Sequence, residues 1–193
     1  VALGYSPAGQ ADALTTYPVA SCPCDDRNLL FFIARDPADA FAEQVFAGTI
    51  AHGSAVTVHG PMGDFVLADG HRPLVFAACD TAFAPLKSLI EHALALDEAP
   101  SLSLFWLATR SDGHFQENQC RAWSEALDPF EYELVTHTDV IAGAREIAKA
   151  MRADLFDIDC DFYLAGPSDF VQTLHAELRG AGVAAAQLFV NVL

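Results

Sequence analysis

The first seventy residues read as short extended runs punctuated by turns. Residues 28–35 are strongly apolar and lie between turn residues, 55–59 end at the breaker Gly60-Pro61, and Gly63-Asp64 precede Phe65-Val66-Leu67. One helix is expected here, over 39–49, with Phe41, Val45 and Phe46 on a common face. Several short strands separated by turn signals predict a small β-barrel. From about residue 71 the rhythm changes. Strand-like runs at 73–78, 102–108, 132–135, 161–164 and 188–192 alternate with helical patterns at 85–96, 115–127, 140–151 and 169–181. Ile141, Ala144, Ile147, Ala148 and Met151 make one apolar helix face. Five strands with four helices between them predict a doubly wound parallel sheet. Ligands of such sheets bind beyond the carboxyl ends of the strands, which directs attention to 78–82 and 164–167.

Composition narrows the classes. With 52% hydrophobic and 19% charged residues in 193, the chain can bury a core and is not a disordered acidic segment. Ten Lys and Arg against 26 Asp and Glu give a net charge of −16, shared by both halves. That excludes nucleic-acid binding through a basic face and attraction to an anionic membrane. The most apolar stretch, 77–96, is broken by Asp80, Pro85, Lys87, Glu91 and His92, so direct membrane insertion is not expected. The first residues carry no signal-peptide pattern, and the initial Val leaves open a fragment or a processed product. Five cysteines without a regular framework point to a reducing compartment and a cytoplasmic location.

Local chemistry is sparse. Cys22-Pro23-Cys24 suggests a metal or redox pair, but the spacing is too tight for an ordinary zinc knuckle and no second pair follows. The plant-type iron–sulfur spacing is absent. Cys79 lies at a strand–helix turn, where a helix N-terminus lowers a thiol pKa, yet the adjacent Asp80 opposes this. His92 and His175 fall within helices and read as surface or satisfied groups. Asp154, Asp157, Asp159 and Asp161 read as a solvated connector rather than a calcium loop.

The order and spacing of five segments resemble the ferredoxin–NADP reductase family. Tyr17-Pro18-Val19-Ala20-Ser21 resembles its flavin strand, Arg-x-Tyr-Ser/Thr followed by apolar residues. Residues 59–67 resemble the Gly-Pro-x-Gly-x-Phe-x-Leu hairpin that leaves the barrel. Residues 72–92 resemble the first strand and helix of the nucleotide domain, Tyr163-Leu164-Ala165-Gly166-Pro167 the strand beside the nicotinamide, and 182–192 the last strand. The resemblance implies a flavin-binding-type β-barrel over 1–70, incomplete at its N-terminus, and an NAD(P)-binding-type α/β domain over 71–193. It implies electron transfer from NAD(P)H through FAD or FMN to a protein or metal acceptor.

The retained family positions are Tyr17, Val19, Thr81, Gly166 and Pro167; others depart from the motif. Thr15 stands where the family's Arg grips the flavin phosphates, and Pro18 where a Ser/Thr hydroxyl meets the flavin ring. Tyr17 reads equally as a ring-stacking residue or a barrel-core aromatic. The Gly-Gly-x-x-Ser-like turn is replaced by 37–41, in which Asp39 is placed to cap the helix itself. The Ala-Gly-Gly-Thr-Gly nucleotide loop becomes Ala78-Cys79-Asp80-Thr81-Ala82. A carboxylate about 4 Å from a phosphate opposes it by roughly 4 kcal/mol at an effective dielectric of about 20. Ala165 is a mild departure from the Cys of many relatives, and Leu193 stands where an aromatic often covers the flavin. Two readings follow. One is a module that lost FAD and NAD(P)H binding and serves a redox or oxygenase-type complex as a structural or assembly subunit with a protein partner. The other is an active NAD(P)H-dependent flavoprotein reductase for an iron–sulfur or iron oxygenase partner. Three altered phosphate sites favour the first.

Overall fold

A computed structural model describes residues 1–6, 13–25, 27–97, 99–154 and 159–193, the side chain of residue 154 excepted. Two sheets organise it. The smaller is antiparallel, in the order β2 (Thr15–Thr16), β1 (Ala2–Gly4), β3 (Thr57–His59). Between β2 and β3 lies the helix α1 (Ala40–Phe46). The larger sheet is parallel and five-stranded, in the order β6 (Phe130–Thr136), β5 (Leu102–Ala108), β4 (Leu74–Cys79), β7 (Asp161–Gly166), β8 (Leu188–Val192). Its crossovers are α2 (Phe83–Leu96), α3 (Glu117–Ala126), α4 (Val140–Asp154) and α5 (Ser168–Gly180).

The sequence explains this layering. β4 and β7 are buried at every position and lie inside the sheet, so helices must cover both faces. Val75, Ala77, Phe105, Leu107, Phe162 and Leu164 pack against α4 and α5 on one face. Phe76, Ala78, Leu104, Trp106 and Tyr163 meet α2 and α3 on the other. The alternation along each strand is the period-two projection of a sheet. The edge strand β6 mixes buried and exposed positions, as Glu131 and Glu133 require. Pro85 fits in the first turn of α2, where a missing N–H is harmless. Asp97 ends that helix in the left-handed conformation, φ 53°.

The doubly wound sheet matches the expectation throughout, and the small antiparallel sheet is the expected barrel portion. Four local expectations change. The run 28–35 forms no strand ladder, although Ala20 N–H bonds the Leu30 carbonyl (2.8 Å). Its alternation survives because it bridges two cores: Phe31 and Ile33 pack with Leu3, Tyr17 and Phe41, while Phe32 packs with the large sheet's cluster. Residues 65–67 likewise cross without a ladder, Phe65 and Leu67 turned to that cluster and Val66 63% exposed. Phe46 and Ile141, expected on apolar faces, are largely exposed. Phe46 instead lies under the Arg35 guanidinium, 5.5 Å from its ring centre.

The acidic connector is also not simply solvated. Asp161 is buried at the start of β7, and Arg72 reaches both Asp161 (3.3 Å) and Asp159 (2.9 Å). Asp157 lies outside the described residues. No helix is long and apolar enough to cross a membrane among the described residues.

Candidate functional site

Asp39 caps α1, as its spacing predicts: one carboxylate oxygen accepts the N–H groups of Phe41 (2.9 Å) and Ala42 (3.1 Å). Two further donors reach it from across the chain. The Thr15 hydroxyl donates to the same oxygen (3.2 Å), and the Tyr17 hydroxyl donates to the other. The motif position for Arg, the surviving motif Tyr and the helix N-terminus thus converge on one internal carboxylate. Burial alone opposes ionising Asp39, but the bonds from Tyr17, Ala42, Thr15 and Phe41 outweigh it and hold its pKa below the ordinary value. Burial raises the Tyr17 pKa above its ordinary 10, reinforced by the Asp39 bond and charge. Tyr17 is buried with its ring 5.7 Å from Phe41, a tilted pair in the small core. Pro18 and Val19 follow it, half-buried.

The second anion loop lies at the carboxyl end of β4. Asp80 adopts φ 48°, a conformation that suits glycine, so the turn keeps a glycine-like backbone while carrying a side chain. Its carboxylate turns to the β5–α3 loop, accepting the Thr109 N–H (2.9 Å) and the Thr109 hydroxyl. Its carbonyl accepts the Trp106 indole N–H (3.0 Å). A Cβ on Gly113 would lie 2.6 Å from the Asp80 carboxylate, so only glycine lets the loop close here. The direct clash expected from the sequence is therefore softened: the charge remains, engaged by Thr109. Ala82 is buried against the Trp106 cluster, and Phe83 stacks on Trp106 at 4.2 Å. Cys79 is inert, since burial and then the Asp80 charge push its thiol up to about 12.

Thr81 opens into a cleft of about 370 Å³ between the segment 31–35 and the β5–α3 loop. Arg35, Phe46, Arg110, Asp112 and Phe115 also line it. Each arginine already faces an acid: Arg35 lies 3.8 Å from Glu43, and Arg110 3.6 Å from Asp112. Sequence reasoning missed both. Arg110 carried a usable signal, because it stands two residues beyond β5 on the ligand side of the sheet. Gly166 ends β7, where its carbonyl accepts the Leu193 N–H (3.0 Å). A Cβ there would lie 2.7 Å from Phe170 and 3.1 Å from Cys79. Pro167, exposed, precedes α5. The site residues thus divide into an Asp39 group in the small sheet and a group around 79–82 and 165–167 at the large sheet's carboxyl edge. Among the described residues no group of three or more His, Cys, Asp and Glu is arranged to hold a metal ion.

No family model matches the chain. Among curated proteins it is 27% identical over 143 residues to the flavohemoprotein of Vibrio cholerae, covering 72% of this chain and 35% of that one. A solved FAD/NAD binding domain of nitric oxide dioxygenase from Vibrio cholerae superposes with a TM-score of 0.78 at 17% identity, covering all of this chain and 82% of that one. A ferredoxin NADP+ reductase from Neisseria gonorrhoeae, solved with FAD and NADP bound, gives 0.77 at 16% identity, covering 99% and 84%. The chain is a ferredoxin–NADP reductase-like module. The module spans about a third of the length of the curated relatives it matches. Its relatives are NAD(P)H–flavin electron-transfer oxidoreductases, and the module is related to them in sequence and in both sheets.

Proposed function

We propose that this module has kept the reductase fold and lost the family's flavin grip, and that it serves a redox or oxygenase-type complex as a structural or assembly unit. Asp39 carries this reading. Its carboxylate already accepts the α1 N–H groups, Thr15 and Tyr17, the donors that a flavin phosphate would need. A phosphate would have to displace these bonds and then meet a like charge. The flavin phosphates therefore do not fit. In this reading residues 1–70 and 71–193 correspond to the family's two domains, emptied at the first.

A second reading is favoured by the cleft. The Asp80 carboxylate is turned onto Thr109, and a volume of about 370 Å³ lies beside Thr81 at the carboxyl edge of the sheet. This supports retention of NADH or NADPH binding without flavin, or a working reductase if flavin is held in another way.

One purification separates these. Protein isolated from cells would be scanned from about 350 to 500 nm and then melted with FAD, FMN, NADH and NADPH in turn. The first reading expects no flavin absorbance and no shift with any of the four. Stoichiometric flavin would overturn it; a shift with a nicotinamide nucleotide alone would establish the second.

A further inference from the structure

Cys22 and Cys24 are joined by a disulfide. Three observations separate this pair from a structural staple. A cross-link between positions only two apart removes little entropy from the unfolded chain. The loop is already fixed without it: Ser21 Oγ donates to the Asn28 carbonyl (3.1 Å) and accepts the Leu30 N–H (3.2 Å), and the Asp25 N–H bonds the Cys22 carbonyl (2.9 Å). The same loop is pinned to α2, since Lys87 Nζ donates to the Ala20 carbonyl (3.2 Å) and Ser88 Oγ to the Ser21 carbonyl (2.7 Å). Opening the bond would leave the two sulfurs facing each other on a rigid support.

Their surroundings also differ. Cys22 is 8% exposed, whereas Cys24 is exposed. One sulfur can be attacked from solution and the other is shielded as the internal leaving group and resolving thiol. The other three cysteines, Cys79, Cys120 and Cys160, are buried.

We propose that Cys22 and Cys24 form a redox-active pair that exchanges two electrons with a dithiol protein. A partner thiolate attacks Cys24 Sγ. The Cys22–Cys24 bond breaks, and Cys22 leaves as a thiolate that takes up a proton. The partner's second thiolate then attacks its own sulfur in the mixed disulfide, releasing the Cys24 thiolate, which is also protonated. The module gains two electrons and two protons, and the partner dithiol becomes a disulfide. The reverse sequence oxidises the pair. No flavin or nucleotide enters, so this step stands apart from the fate of the cofactor sites.

The full chain would be equilibrated under native conditions in graded mixtures of reduced and oxidised glutathione, quenched with an alkylating reagent and weighed. Two labels are expected to appear together as the buffer becomes reducing, mapped to Cys22 and Cys24, with the melting temperature unchanged between the two states. In parallel, Cys22→Ser and Cys24→Ser would be mixed with a dithiol oxidoreductase lacking its resolving cysteine and oxidised as a mixed disulfide donor. Cys22→Ser, which keeps the exposed sulfur, should trap the partner at least tenfold faster than Cys24→Ser. The proposal fails if the pair opens only when the chain is denatured, if the thiols never close in the most oxidised mixture, or if both variants trap at the same rate.

Discussion

Replacing Asp39 tests whether one carboxylate holds the helix and the flavin strand together. Asp39→Ala removes the cap, which costs about 1 kcal/mol on average. It also removes the charge-assisted bond from the Tyr17 hydroxyl, which is worth roughly 1.5–3 kcal/mol when well shielded. Asp39 is half-buried, so solvent screening takes this toward the lower end. The sum is about 2–3 kcal/mol, or about 5–10 °C in melting temperature for a chain of this size. Asp39→Asn keeps a good capping oxygen and loses only the charge, so about half of that cost is expected. The pH dependence distinguishes the lock from a plain cap. A folded-state pKa below the ordinary 3.8 means that the contribution is present above that value and is lost as pH falls through the folded pKa. Urea titrations of wild type and Asp39→Asn at pH 7 should therefore differ by about 1–1.5 kcal/mol, and the gap should close below about pH 4. A gap that persists or widens in acid would refute the reasoning, as would an Asp39→Ala variant as stable as wild type.

Two tyrosines, Tyr17 and Tyr163, are expected to stay protonated beyond the ordinary pH of 10, burial being the leading cause in each. A raised phenol pKa means stability that is present below pH 10 and lost as pH rises through the folded value, so ultraviolet titration of Tyr17→Phe should show one late-titrating group fewer. Tyr163→Phe strands the Ala68 N–H that its oxygen accepts at 2.8 Å, and a loss of roughly 1–3 kcal/mol is expected in chemical denaturation. Gly166→Ala pushes a Cβ against Phe170 and Cys79, with an expected cost of about 1–3 kcal/mol; a neutral result would show that α5 yields. Asp80→Gly should tighten NADH or NADPH binding at least tenfold in calorimetry, up to about a thousandfold if the full repulsion applied. Unchanged affinity would dispose of the repulsion argument.

The large sheet was legible because its evidence is local. β4, β5 and β7 are apolar runs of strand length bounded by turns and separated by helix-length segments, and burial on both faces demands that composition. Less was legible where one segment serves two cores. Residues 28–35 carry strand chemistry, yet their alternation is satisfied by Phe31 and Ile33 on one side and Phe32 on the other, so no ladder is needed. At the site, the cap at Asp39 followed from its spacing to the helix. Its bonds to Thr15 and Tyr17 cross 24 and 22 residues, and no periodicity encodes a contact at that distance. The ion pairs of Arg72 with Asp159 and Asp161 escaped for the same reason.

The two acidic substitutions are not equivalent, although the sequence makes them look alike. Asp39 points at the donors of the flavin site and replaces the anion they would otherwise bind, so its charge contributes to the fold. Restoring a phosphate there requires removing a stabilising group and supplying the arginine that Thr15 lacks. Asp80 points away, bonded to Thr109, and leaves the glycine-like turn and the neighbouring cleft in place. Its charge can be removed without dismantling a core contact. If the module still meets a family ligand, the physical argument therefore favours the nucleotide over the flavin. Loss of the flavin with a surviving dinucleotide site would leave nothing between them to carry hydride chemistry. An exposed dithiol–disulfide pair fixed to α2 would then be the feature of this chain still able to exchange electrons with a partner.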